Sequence, residues 1–66
     1  MRLLKLEDMY GKETYINADR VNYIGQHGLG VTVIHFGASD ETVSVKMEPA
    51  VVASMLLNAG KLSQTA

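Results

Sequence analysis

Apolar and polar residues alternate in short blocks along this chain, and turn-forming residues cut the blocks at even intervals. Thr42-Val43-Ser44-Val45-Lys46-Met47 is the cleanest case. Val43, Val45 and Met47 fall on one side, and Thr42, Ser44 and Lys46 on the other. A period of two marks a strand with one buried face. Val31-Thr32-Val33-Ile34-His35-Phe36 is mostly β-branched or aromatic and largely apolar on both faces, which suits a central strand. Weaker versions of the pattern cover residues 3–7, 13–17 and 21–25. Between the blocks lie Asp8-Met9-Tyr10-Gly11, Asn17-Ala18-Asp19-Arg20, Gly25-Gln26-His27-Gly28-Leu29-Gly30 and Gly37-Ala38-Ser39-Asp40-Glu41. Each is rich in residues that favour turns. This spacing predicts short antiparallel strands joined by hairpins.

The period then changes. Pro49 fits the first position of a helix, where its missing N–H costs nothing, and Glu48 places a carboxylate near the positive end. The body runs from Ala50 to Ala59; Gly60 is expected to end it as a left-handed C′ residue, with Lys61 beside the last carbonyls. Ser54 and Asn58, with Ala50 and Lys61, give one narrow stripe for water. Val51, Val52, Met55, Leu56 and Leu57 fill more than half of the circumference. A helix resting on one sheet needs an apolar stripe of only about 100°. Leu57 and Val51 therefore point beyond what one small sheet covers. Leaving a large aliphatic side chain in water forgoes roughly 1.5–3 kcal/mol, on a fold of this size with about 5 kcal/mol in hand. The expectation is a homo-oligomer that uses Val51, Met55, Leu56 and Leu57 for self-association. The fold class expected is α+β: a small antiparallel or barrel-like sheet of four to five strands with one C-terminal helix. Residues 1–62 would form a single β-rich domain, and residues 63–66 a flexible tail.

Composition narrows the function. The chain has 66 residues and no cysteine, so disulfides and thiolate metal sites are excluded. Six Lys+Arg against seven Asp+Glu leave a net charge of −1, which argues against binding nucleic acid or acidic membranes by charge alone. A hydrophobic share of 47% is too high for a disordered segment. No apolar run approaches the ~18 residues of a membrane span, and Met1-Arg2-Leu3-Leu4-Lys5 does not start a signal peptide. The expected setting is cytoplasmic, with no membrane partner.

Candidate chemistry is sparse. His27 lies in the Gly-rich turn and His35 in the central strand, and a cation would need Asp40 or Glu41 as a third ligand across a hairpin. A solvated turn histidine and a strand-rim histidine explain the pair more simply, and no metal or cofactor is expected. The glycines read G-x-x-G-x-G and precede a strand, whereas a phosphate-cradling loop precedes a helix. Hairpin glycines at positive φ account for them. The carboxylates are scattered at turns, and Ser39, Ser44 and Ser54 lack the context of a nucleophile. Asn17 and Asp19 suit hydrogen bonds to their own backbone. Arg2, Lys5, Lys12, Arg20, Lys46 and Lys61 are dispersed among acids, and Tyr10, Tyr15 and Tyr23 suit an amphipathic rim. No catalytic residue is expected. The exposed turn residues His27 and Leu29 are the candidate partner contacts.

The order of residues also resembles that of a known family. Gly11-Lys12-Glu13, then Tyr15-Ile16-Asn17-Ala18-Asp19, then Val21 and Ile24, resemble the opening of the small flagellar FlbD-like proteins. Thr32-Val33-Ile34, Phe36, Val43, Val45, Lys46 and Glu48 before an aliphatic helix continue the likeness, which spans about residues 3–57. Gly37-Ala38-Ser39-Asp40-Glu41 stands where the family has a tight Asn-Gly turn, and Met47-Glu48-Pro49 where it has Glu-Ser. The resemblance implies a small, non-enzymatic cytoplasmic factor connected with flagellar assembly or motor output. The strand pattern is also similar to half of a LytTR-type DNA-binding β domain, whose basic DNA-contacting half has no counterpart here. The function expected is that of a binding or adaptor protein that works as a homo-oligomer by occupying a protein partner. A phage-encoded inhibitor, a small-ligand sponge binding at a subunit interface and a DNA-binding regulatory module are the alternatives.

Overall fold

Asp8 organises the first hairpin. In the computed structural model, which describes residues 2–37 and 40–64, strand β1 (Leu3–Glu7) pairs antiparallel with β2 (Glu13–Asn17), Leu4 opposite Ile16 and Leu6 opposite Thr14. The Asp8 carboxylate accepts from the backbone N–H groups of Tyr10 and Lys12, both at 2.9 Å, and so closes the turn from within. Gly11 supplies the φ of +81° that the return of the chain requires. Alternation does the rest. Leu6 and Ile16 are buried, whereas Lys5 and Glu13 face outward and form a 3.1 Å ion pair.

A short 3-10 turn, η1 (Ala18–Arg20), leads into the second sheet. The Asn17 side chain caps it by accepting from the Asp19 N–H at 3.0 Å. Strands β3 (Val21–Gln26), β4 (Thr32–Phe36) and β5 (Thr42–Val45) then form an antiparallel sheet in the order β3-β4-β5. The run that is apolar on both faces is the central strand, as its pattern requires. The β3–β4 connection holds Gly28 and Gly30 at φ of +80° and +70°, which is why glycine recurs there. The two sheets are joined where the Met9 N–H donates to the Ser44 carbonyl at 2.8 Å.

Helix α1 (Pro49–Gln64) closes the molecule by packing across β1 and β3. Pro49 is its first residue, and the Glu48 carbonyl accepts from the Val51 and Val52 N–H groups. Val52 is fully buried and meets Ile34, Val45, Leu6 and Ile16 in one core, with Met55 and Leu56 packed against it. The fold is thus α+β: five strands in two antiparallel sheets and one C-terminal helix.

Two boundaries differ from the sequence pattern. The alternation of β5 continues to Met47, but the strand stops at Val45 because the Met47 carbonyl turns inward to accept from the buried Thr32 hydroxyl at 2.7 Å. The helix does not end at Gly60; it continues to Gln64. An interior glycine costs a helix about 1 kcal/mol, less than a full stop requires, and good helix formers stand on both sides of it. Ser63 and Gln64, expected in a flexible tail, are therefore helical, while Thr65 and Ala66 lie outside the described residues. So do Ala38 and Ser39 of the fourth turn.

Candidate functional site

The core uses only one face of the three-stranded sheet. Thr32, Ile34 and Val45 point into it, so the alternate residues of the same strands form an outer face. Register sets that face in rows. Tyr23 lies opposite His35, and His35 opposite Thr42; in the next row Gly25 lies opposite Val33, and Val33 opposite Ser44. His27 continues the β3 line two residues beyond Gly25, its N–H donating to the Val31 carbonyl at 2.8 Å. Gln26 steadies this corner through its side-chain amide, which donates to the Gly28 carbonyl at 3.2 Å.

Tyr23 and His35 stack with ring centroids 4.1 Å apart and planes within 10° of parallel. A groove of about 370 Å³ lies on the same face, lined by Gly25, His27, Val33, His35, Thr42 and Ser44, with Gln26 at its edge. Tyr23 does not line it. The tyrosine covers the face of the imidazole on the β3 side, where it is the cross-strand neighbour of His35. Among the described residues no side-chain hydrogen bond engages His27, His35, Thr42 or Ser44.

The two histidines, eight positions apart in sequence, thus share one groove, whereas Asp40 and Glu41 do not line it. Among the described residues no three His, Asp or Glu side chains gather as a cation site. Leu29 stands at the tip of the β3–β4 loop and is 94% exposed, outside the groove. The four helix residues expected at a self-association surface divide into two pairs. Val51 and Leu57 are exposed, at 48% and 70%, whereas Met55 and Leu56 are half-buried against the chain's own core. A second, wider groove of about 800 Å³ runs beside the β1–β2 turn, over Leu6, Met9, Met47 and Met55.

Away from these surfaces, Asp19 does not serve the turn as its position suggests. It pairs with the Arg2 guanidinium, whose Nε lies 2.5 Å from Oδ1, and that hydrogen bond holds the Asp19 carboxyl below its ordinary range. The same guanidinium reaches the Leu56 carbonyl at 3.4 Å, so Arg2 ties η1 to the helix. No helix among the described residues is long and apolar enough to cross a membrane.

Compared with protein-family models, with curated proteins and with solved structures, the chain matches none. Its site is therefore read from its own residues. Sequence pattern alone missed Tyr23, Gly25, Thr42 and Ser44 as parts of one surface. The signal was present in part: a period of two puts Tyr23, Gly25 and His27 on one side of a strand. Which strands lie beside it, and in what register, is not written in that period.

Proposed function

We propose that this protein works by binding, without catalysis, as a homo-oligomer whose copies meet through the outer side of α1. The observation that carries this reading is Leu57, 70% exposed on the helix that also supplies the fully buried Val52. Val51, 48% exposed, lies about 120° from Leu57 around the helix, on the other side of the stripe formed by Ser54 and Asn58. The described hydrophobic residues that are fully or nearly buried are few: Leu6, Ile16, Ala18, Ile34, Val45 and Val52. Burying Leu57 against a second copy would return roughly 1.5–3 kcal/mol per side chain to such a fold. Met55 and Leu56 support the helix from beneath and belong to the surface only at its margin.

In this reading the assembly presents its β3–β4 loops, with His27 and the protruding Leu29, to a protein partner. The resemblance of residues 3–57 to FlbD-like proteins makes a component of flagellar assembly or of the motor the partner class. Self-association is tested by light scattering on the wild-type chain and on Leu57→Asp at micromolar protein. The wild type is expected to have a dimer's mass or more, and the variant a monomer's mass with the same far-ultraviolet circular dichroism. A monomeric wild type, or an unchanged assembly in the variant, overturns the proposal. Leu57 is the residue to change because Leu56→Asp would place a carboxylate against the core and unfold the chain.

A further inference from the structure

Gly25 has no reason to be glycine within one copy of the chain. Its φ is not positive, and a Cβ built on it meets nothing within 4 Å. A glycine inside a strand weakens it, and one needed neither for a bulge nor for packing marks a place where something else approaches the backbone. Its strand, β3, is an edge of the three-stranded sheet, and the run after its bulge, from Tyr23 to Gln26, is regular. The His27 N–H bonds to Val31, so the backbone groups of Gly25 and Tyr23 turn toward β4 and those of Ile24 and Gln26 turn outward. Among the described residues nothing engages these outward groups. Charge is a common guard of a free edge. Strand β2 carries it at Glu13, and the β5 edge is met by Met9 at the Ser44 carbonyl, but Val21–Gln26 holds no charged residue. Tyr23 is 56% exposed, and His35 on β4 covers one face of its ring. The two rings are nearly parallel, so the other face of the tyrosine looks out over the free edge.

We infer that β3 pairs antiparallel with β3 of a second copy, and that Tyr23 of each copy covers Gly25 of the other. Ile24 lies at the two-fold axis and exchanges both backbone hydrogen bonds with its own counterpart, as a symmetric contact permits. Tyr23 then stands directly opposite Gly25 in a non-hydrogen-bonded pair, the kind that brings Cα atoms to about 4.5 Å. Its ring shields the bare glycine backbone from water, a pairing that rescues glycine at strand edges. Sliding one strand by two residues in either direction sets glycine against glycine or tyrosine against tyrosine, and both slides move the rings off Gly25. Each groove on the outer face gains a wall from the other copy, because Gly25 lines it. The inference rests on self-association through α1 and gives that assembly its second contact. The helix packs against β3 on the core side, and a two-fold axis perpendicular to the sheet sets both helices on that side. A two-stranded pairing is marginal in water by itself, so the edge closes only together with the helix contact.

The test uses the absence of cysteine from the chain. Tyr23→Cys and Gly25→Cys chains, mixed in equal amounts and oxidised, are expected to form a disulfide-linked dimer. Either variant alone is expected to stay unlinked. In this register two Tyr23 positions, or two Gly25 positions, stand roughly 8 Å apart, beyond the ~7 Å limit of a disulfide. The first change is at an exposed side chain and the second where a Cβ is unhindered, so both variants keep the fold. On the unaltered chain, the Ile24 and Gln26 amides are expected to exchange with solvent about tenfold more slowly than in Leu57→Asp, measured against the β4-bonded amide of Gly25. The inference is overturned if the mixture yields no more linked dimer than the single variants, or if the outward amides exchange equally in the two chains. Either result, with a wild type that assembles and a Leu57→Asp that does not, leaves the helix contact standing and the β3 edge open to a strand of another protein. A monomeric wild type overturns the helix contact as well.

Discussion

Thr32 is the polar side chain that the described core buries completely, and its hydroxyl has one task there, to donate to the Met47 carbonyl. That bond fixes where β5 stops and where the chain turns toward the helix. Thr32→Val preserves shape but leaves the carbonyl without its donor. The expected loss is about 1–3 kcal/mol, read from urea denaturation, with the unfolding slope unchanged. Asp19 offers a second test at this scale. Hydrogen bonding from Arg2 lowers its pKa in the folded state, so the pair stabilises the fold above the ordinary carboxylate pKa. The contribution is lost as pH falls through the lowered value. In Arg2→Ala the Asp19 carboxyl should titrate at higher pH than in the wild type, and the acid limb of stability should lose this component; a carboxyl-detected titration checks both. Neither pairing was legible in the residues. Thr32 reads as an ordinary β-branched strand residue and Asp19 as a turn former. Their partners stand 15 and 17 positions away, brought close only by folding.

Elements were largely legible because each rests on local chemistry. Gly11 and the Asp8 carboxylate make the first turn whatever surrounds it, and Gly28 and Gly30 make the third. Alternation identified all five strands, and the position of Pro49 identified the start of the helix. The end of the helix was misread because Gly60 has two uses, as a left-handed terminator and as a tolerated interior residue. The two make opposite predictions. In a continuing helix Gly60→Ala stabilises by about 1 kcal/mol and raises helicity; at a left-handed terminator the same change destabilises. The structure calls for the first outcome, measurable by thermal melts followed by circular dichroism.

For the molecule as a whole, Leu57 and Val51 are large apolar side chains of the helix that point away from its own core. If copies meet there, stability depends on protein concentration, because association draws on the folded state alone. The thermal midpoint should then rise with concentration in the wild type and stay constant in Leu57→Asp. A midpoint independent of concentration in both would leave the helix surface without a partner copy. The groove on the far face of the β3-β4-β5 sheet is the second property of this scale. It combines residues from three strands, and no segment of the chain contains enough of it to be noticed.

What the sequence by itself determined was everything set by period and by local backbone chemistry: five strands, four turns, the start of a helix, and an apolar arc too wide for one small sheet to cover. These follow from residues within a few positions of one another. Tertiary structure decided which members of that arc stay in water, Leu57 and Val51 and not Met55 and Leu56, because the packing of the helix across β1 and β3, with Val52 at its centre, chooses its buried side. It also decided that His27 and His35 border one groove around Gly25. Register between strands is fixed by packing the opposite, apolar face against the core, so the polar face inherits its neighbours from contacts in which it takes no part.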